Sequence, residues 1–256
     1  MNVWHTLAVV VVATALSGCA GTGGSAPVSE GSATAAGAAN MQLGSAYLQQ
    51  GNLPVAKDKL ERAVKQTPRD PRVHGLLAML YQRLGDDKRA ESEYREALSL
   101  APRDPEQLNN YAVFLCGANR IDEGVKRFQE AARNRLYTTP WAAYTNAGVC
   151  LRGAKRDAEA EPLFVQALKV RPDYAEAAVQ LADLRLNHER NAEALGGINE
   201  YMKRNPPVPE LLLLGWRAAR AQSDGVSAAQ MAWRLQTDFP DSEQAHTVAA
   251  LMGKKP

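Results

Sequence analysis

Residues 67–71 read "TPRDP" and residues 101–105 read "APRDP", nearly the same five letters 34 residues apart. Each copy closes one helix and opens the next. Pro68 and Pro102 cannot continue a helix, because proline lacks the N–H and its ring collides with the preceding turn. Asp70 and Asp104 suit the N-cap, and Pro71 and Pro105 suit the first helical position, where no donor is needed. A helix boundary that returns at a fixed interval marks a repeat architecture.

The interval runs along most of the chain. Small residues stand at Ala56, Ala90, Gly124, Ala160, Ala194 and Ala228, spaced by 34, 34, 36, 34 and 34. Twelve residues after five of them comes a proline: Pro68, Pro102, Pro172, Pro206 and Pro240. The third copy carries two extra residues, and its proline is displaced to Pro140. Twelve residues before stand Gly44, Ala78, Ala112, Gly148, Ala182 and Trp216, and four after stand Leu60, Tyr94, Phe128, Phe164, Ile198 and Ala232. Small residues at these phases let two antiparallel helices approach closely, and the bulky ones fill the space between. The pattern resembles the tetratricopeptide repeat, a 34-residue helix–turn–helix unit. The resemblance implies an all-α superhelix of six repeats over residues 37–240. One helix pair cannot bury its own apolar face, but stacked pairs share a continuous core. The last stretch, 241–256, reads as a capping helix begun by Asp241, followed by a short tail.

The N-terminus differs in kind. "LAVVVVATALSGC" (7–19) is an apolar run too short to span a bilayer as a helix, and it ends in small residues. Leu16-Ser17-Gly18-Cys19 resembles the bacterial lipobox, which implies removal of residues 1–18 and lipidation of Cys19. An ordinary cleaved signal peptide is the other reading, and the Lys or Arg that usually precedes such a run is missing. Residues 19–36, rich in Gly, Ala and Ser, read as a flexible tether. By resemblance to sorted lipoproteins, Ala20 after the cysteine points to the periplasmic face of the outer membrane. Net charge is +2, so neither nucleic acid nor an anionic membrane surface stands out as a partner.

Cys116 and Cys150 fall at positions 12 and 10 of neighbouring first helices, which should pack about 8–10 Å apart. Two readings stand for them. In an oxidising periplasm they can form a disulfide, clamping repeat three to repeat four; otherwise they are two small buried hydrophobes. The first reading is preferred, because the seam it would staple contains the least regular turn, "RLYTTPW" (135–141).

Catalytic constellations do not emerge. His5, His74, His188 and His246 lack metal-ligand spacing. His74 stands where a repeat usually places a large packing residue. No Gly-x-Ser-x-Gly, His-Glu-x-x-His or P-loop pattern occurs. The sequence therefore calls for no catalytic residue, metal, cofactor or small-molecule substrate, and an enzyme is not expected.

In tetratricopeptide proteins the first helices line a concave groove at positions 2, 5, 9 and 12. Carried onto this chain, that resemblance selects Met41, Ser45 and Leu48 in repeat one. It selects Arg72 and Met79, with Arg83 beside them, in repeat two, and Val113 in repeat three. The expected groove is apolar, with adaptable methionines and a basic rim, and would accept an amphipathic helix or an extended apolar segment. The competing reading packs Met41, Leu48 and Met79 between repeats. Asn110 and Asn146, which share position 6, would hold either a peptide backbone or each other.

A lipobox, a tether and six repeats together resemble the type IV pilus biogenesis lipoproteins of the PilF/PilW kind. The strings "LNNYAVFLC" (108–116), "YTNAGVCL" (144–151) and "VQLADLRL" (179–186) are similar to that family's. The resemblance implies a pilotin: a lipoprotein that binds the secretin subunit through the first repeats and promotes its localisation and multimerisation in the outer membrane. A periplasmic repeat scaffold for outer-membrane protein assembly or peptidoglycan remodelling is the alternative.

Overall fold

A computed structural model of the chain describes residues 30–253. The expected signal peptide, Cys19 and the tether as far as residue 29 lie outside the described residues. Helices α1 (Glu30–Gln49) and α2 (Leu53–Gln66) form the first pair, and α3 (Pro71–Arg83) and α4 (Asp87–Leu100) the second. The third pair is α5 (Pro105–Gly117) with α6 (Ile121–Ala132), and the fourth α7 (Pro140–Gly153) with α8 (Asp157–Val170). The fifth is α9 (Ala175–Asn187) with α10 (Asn191–Met202), the sixth α11 (Pro209–Ala221) with α12 (Gly225–Asp238), and α13 (Glu243–Gly253) packs on both helices of the sixth pair. The described residues contain no strand. Successive first helices touch along the stack, α1 to α3 to α5 to α7 to α9 to α11. This is the six-repeat tetratricopeptide superhelix that the period predicts.

The boundary chemistry is as the quoted stretches require. Asp70 accepts from the Arg72 N–H and Asp104 from those of Glu106 and Gln107, with Pro71 and Pro105 opening α3 and α5. Within each repeat the turn closes by one recurring bond, from the N–H of Asn52, Asp86, Arg120, Arg156, Arg190 or Asp224 to the carbonyl five residues earlier. The residue before each of these donors has positive φ: Gly51, Gly85, Asn119, Lys155, Glu189 and Ser223. A 6→1 bond over a left-handed residue is the Schellman closure of a helix C-terminus.

The core lies where the small and bulky phases meet. Leu60, Tyr94, Phe128, Phe164 and Ile198 are at most 1% exposed. A Cβ on Gly44 would stand 2.6 Å from Leu60, and one on Gly148 2.6 Å from Phe164, so these helix pairs close only with glycine there. The sixth pair inverts the sizes: Trp216 is buried on α11 and small Ala232 faces it from α12, in one cluster. The buried hydrophobic side chains run from Met41 to Val248, so a chain lacking the first 19 residues keeps the whole described core.

Two expectations need correction. Residues 30–36 were expected in the tether but form the first turns of α1. Composition read their Ala and Ser content as coil, whereas alanine is the strongest helix former and Gly37 lets α1 lie against Thr67. The capping helix begins after Ser242 rather than Asp241, since Ser242 Oγ accepts from the Ala245 N–H at 3.1 Å.

Candidate functional site: a trough across the first three repeats

Helices α1, α3 and α5 leave a hollow of about 400 Å³ lined by Met41, Ser45, Arg72, Gly75, Met79 and Gln107. A second hollow of about 470 Å³ continues it, lined by Met79, Gln82, Arg83, Tyr94, Asn110 and Val113. Met79 and Asn110 border both, so the two form one trough.

Of the groove residues expected from the sequence, Met41, Ser45, Arg72 and Met79 meet in the first hollow, and Met79, Arg83 and Val113 in the second. Met41 is a floor residue, 9% exposed. Val113 stands open to solvent at 44%. Leu48 does not belong: it is 2% exposed and packs with Leu60 and Leu77 in the core. At position 12 Gln82 lines the second hollow, whereas Leu48 and Cys116 face the seam between successive first helices. Cys116 at the same phase reaches across that seam to α7, and the Leu48 carbonyl accepts from Arg83 on α3.

The rim is charged but internally held. Arg72 clasps Asp70 through Nε and Nη2, at 2.6 Å for the closest contact, and this guanidinium holds the Asp70 carboxyl below its ordinary range. Burial pushes the Tyr94 phenol up, and its hydroxyl donates to Gln82 Oε1 at 3.1 Å.

Sequence reasoning missed Gln107. Its residue is 5% exposed, and its Oε1 has no hydrogen-bond partner. A buried amide oxygen without a donor costs about 1–3 kcal/mol, and the Gln107 residue borders the first hollow while its Oε1 is buried against Gly75. Gly75 makes the room: a Cβ there would stand 2.1 Å from Gln107 Oε1. A signal existed, because Val73, Ala143, Ala177 and Leu211 occupy the same phase in other repeats and Gln107 is their polar exception.

The asparagines bond helix to helix, through an intermediary. Asn146 Nδ2 donates to Asn109 Oδ1 at 3.2 Å, and Asn109 Nδ2 to Asn110 Oδ1 at 3.5 Å. His74 packs, as its phase suggested, and is hydrogen-bonded at both ring nitrogens, to Glu93 and to the Pro68 carbonyl. The Cys116 and Cys150 sulfurs are 2.00 Å apart, with Cα atoms at 5.8 Å, joining α5 to α7. Among the described residues no group of His, Cys, Asp and Glu could hold a metal ion, and no helix is long and apolar enough to cross a membrane.

A tetratricopeptide-repeat family model matches residues 41–105 and 158–209. The type IV pilus assembly protein PilF of Pseudomonas aeruginosa is 30% identical over 235 residues, 91% of this chain and 93% of the relative. The solved structure of Pseudomonas aeruginosa PilF superposes with a TM-score of 0.67 at 30% identity, over 86% of this chain and 99% of that one. PilW, described as a widely conserved type IV pilus biogenesis factor, superposes at 0.66 and 30% identity, over 83% and 98%. The stacked repeats and the likeness along nearly the whole length of both chains lead to one conclusion: this chain belongs to the PilF family of tetratricopeptide-repeat proteins of type IV pilus biogenesis.

Proposed function

We propose that the protein is a non-enzymatic pilotin. It binds a segment of the secretin subunit in the α1–α3–α5 trough, while a lipid on Cys19 holds it at the periplasmic face of the outer membrane. The observation that carries this reading is the methionine-lined trough across the first three repeats, with Met79 and Asn110 bordering both of its hollows. Apolar walls shield an aggregation-prone segment. The lipobox and the pilus-biogenesis relatives support the placement and the partner. Neither turnover nor a cofactor is involved.

The test is Ser45→Glu with Met79→Glu, both on trough walls outside the buried core. The variant should keep its helical circular dichroism and lose at least about tenfold in capture of the secretin subunit, with secretin multimers lost from the envelope. A folded variant with normal capture and normal multimers refutes the trough. Recovery of a barrel-assembly or murein-remodelling component in place of the secretin refutes the pilotin reading.

A further inference from the structure

Most arginines along the stack are paired, Arg171 with Asp173 and Arg204 with Glu200 among them, but one cluster is not. On the edge of the turns within repeats, Arg120, Arg156 and Arg190 each lie between two carboxylates. Arg120 holds Glu91 and Glu123, Arg156 holds Asp122 and Glu159, and Arg190 holds Glu161 and Glu193. On the edge of the turns between repeats, Arg103, Arg133 and Arg135 have no carboxylate partner among the described residues. They line one cleft of about 610 Å³ with Leu108, Glu130 and Asn134, and Glu130 is already paired with Arg127 at 2.8 Å.

The two extra residues of the third repeat build this cleft. Asn134 Nδ2 donates to the Arg103 carbonyl at 2.7 Å, and Asn134 Oδ1 accepts from the Leu136 N–H at 2.9 Å. The turn is thereby folded onto its neighbour, which gathers three guanidinium-bearing residues and leaves Leu136 86% exposed at the tip. An apolar tip beside unneutralised guanidinium groups is the composition of a surface that meets lipid headgroups.

The chain also leaves the fold on this edge. Thr34 and Ala38 border the same hollow as Thr67, Pro68 and Arg69, and α1 runs seven residues further N-terminal from Gly37, about 10 Å of helix. Cys19 is eleven residues before Glu30, a reach of at most about 40 Å.

We infer that the Arg103–Arg133–Arg135 cleft binds the phosphate headgroups of anionic phospholipid and seats the stack edge-on at the membrane, with Leu136 entering the interface. The orientation rests on the reading that Cys19 is acylated, whereas the cleft's lipid affinity does not. An edge-on stack keeps the trough open to the periplasm.

The experiment is flotation of the unacylated chain from residue 20 onward with phosphatidylethanolamine vesicles containing one quarter phosphatidylglycerol, and with pure phosphatidylcholine vesicles. Three arginines near such a surface are expected to raise partitioning by about two orders of magnitude. Arg103→Gln, Arg133→Gln and Arg135→Gln together should abolish the preference for phosphatidylglycerol. Arg62→Gln, Arg95→Gln and Arg234→Gln remove the same charge from arginines that have carboxylate partners, and this variant should float as the wild type does. Leu136→Ser should weaken binding severalfold while keeping the preference. Inorganic phosphate, at ionic strength matched with sodium chloride, should compete only weakly; full displacement would assign the cleft to free phosphate and overturn the proposal. No phosphatidylglycerol dependence overturns it, as does equal loss in both triple variants. Capture of a poly-glutamate peptide by the cleft without flotation reassigns it to an acidic polypeptide. No acyl group is present in the chain tested, so failure here is distinct from failure of Cys19 to be acylated.

Discussion

Gly124→Ala is the substitution on which repeat pattern and structure disagree. Alanine fills this phase in the other five repeats, and alanine for a helix-interior glycine gains about 0.8–1 kcal/mol of intrinsic stability. On pattern alone the change stabilises. In the structure a Cβ on Gly124 would stand 2.5 Å from Cys116 Sγ and 3.0 Å from the Ala112 carbonyl oxygen. Packed heavy atoms sit about 3.5–4 Å apart, so the sulfur would have to retreat by about 1 Å. Its bond to Cys150 holds it in place. Overpacking of this kind costs about 1–3 kcal/mol, which outweighs the propensity gain and leaves a net loss of about 1 kcal/mol. In a Cys116→Ala, Cys150→Ala background the sulfur is gone and only the close carbonyl remains. There Gly124→Ala should be neutral or stabilising, by up to about 1 kcal/mol. The coupling between the two changes, about 1–2 kcal/mol, is the quantity to measure. Urea denaturation of the four proteins under non-reducing conditions, followed by far-ultraviolet circular dichroism, yields it. An equal effect in both backgrounds, or clear stabilisation of the bonded protein, would refute the packing of a bonded sulfur against Gly124.

Two further outcomes follow from local geometry. Lys155 and Glu189 hold φ of 60° and 58° in their turns, where a side chain costs about 1–2 kcal/mol and glycine costs little beyond chain entropy. Lys155→Gly and Glu189→Gly should therefore each raise the urea midpoint, and Gly85→Ala should lower it. His74 has a carboxylate at Nδ1 (2.7 Å) and a carbonyl at Nε2 (2.9 Å), so its doubly protonated form satisfies both partners. The hydrogen bond to Glu93 raises its pKa against desolvation, with Glu96 adding to the field. A raised folded value means that this stabilisation is complete below the ordinary histidine value of about 6.5 and is lost as pH climbs through the folded one. Wild type should lose stability above that point relative to His74→Gln, and parallel curves would refute the assignment.

Much of the fold was written in residues with one physical job. Pro68, Pro102, Asp70 and Asp104 could mark little else than helix ends, and the small phases could mean little else than close helix contact. The turn register was harder to see. Gly51 and Gly85 announce a left-handed residue, but Asn119, Lys155, Glu189 and Ser223 hold the same conformation without a glycine. The closing backbone bond imposes φ there, and that bond is independent of side-chain identity. The N-cap shows the same limit. Asn52, Asp86 and Asp224 cap by side chain, while Arg120, Arg156 and Arg190 give up the cap and clasp a carboxylate of the previous repeat. At the site, single-residue patterning found the trough but misjudged Leu48, because whether position 12 faces the groove or the seam depends on the stagger between first helices. Net charge misled for a related reason. A total of +2 is silent on which arginines are neutralised, and only the ion pairs set Arg103, Arg133 and Arg135 apart from paired neighbours such as Arg171 and Arg204.

The two-residue insertion after repeat three ties these features together. In a solenoid each repeat touches only its neighbours, so an irregularity is not averaged over the stack and must be absorbed locally. The longer third repeat leaves Cys150 two places earlier in the repeat phase than Cys116, and in that offset register the two sulfurs meet. The added length becomes the turn 133–139, which Asn134 pins to Arg103 and which forms the cleft. The stapled seam lies directly beyond the three repeats that make the trough, so the clamp stiffens the last wall of the trough where the regular contacts between repeats are interrupted. On the proposed readings, a stack that presents one face to a protein partner and another edge to a bilayer needs those surfaces at a constant angle. The joint between them is where this chain places its covalent bond.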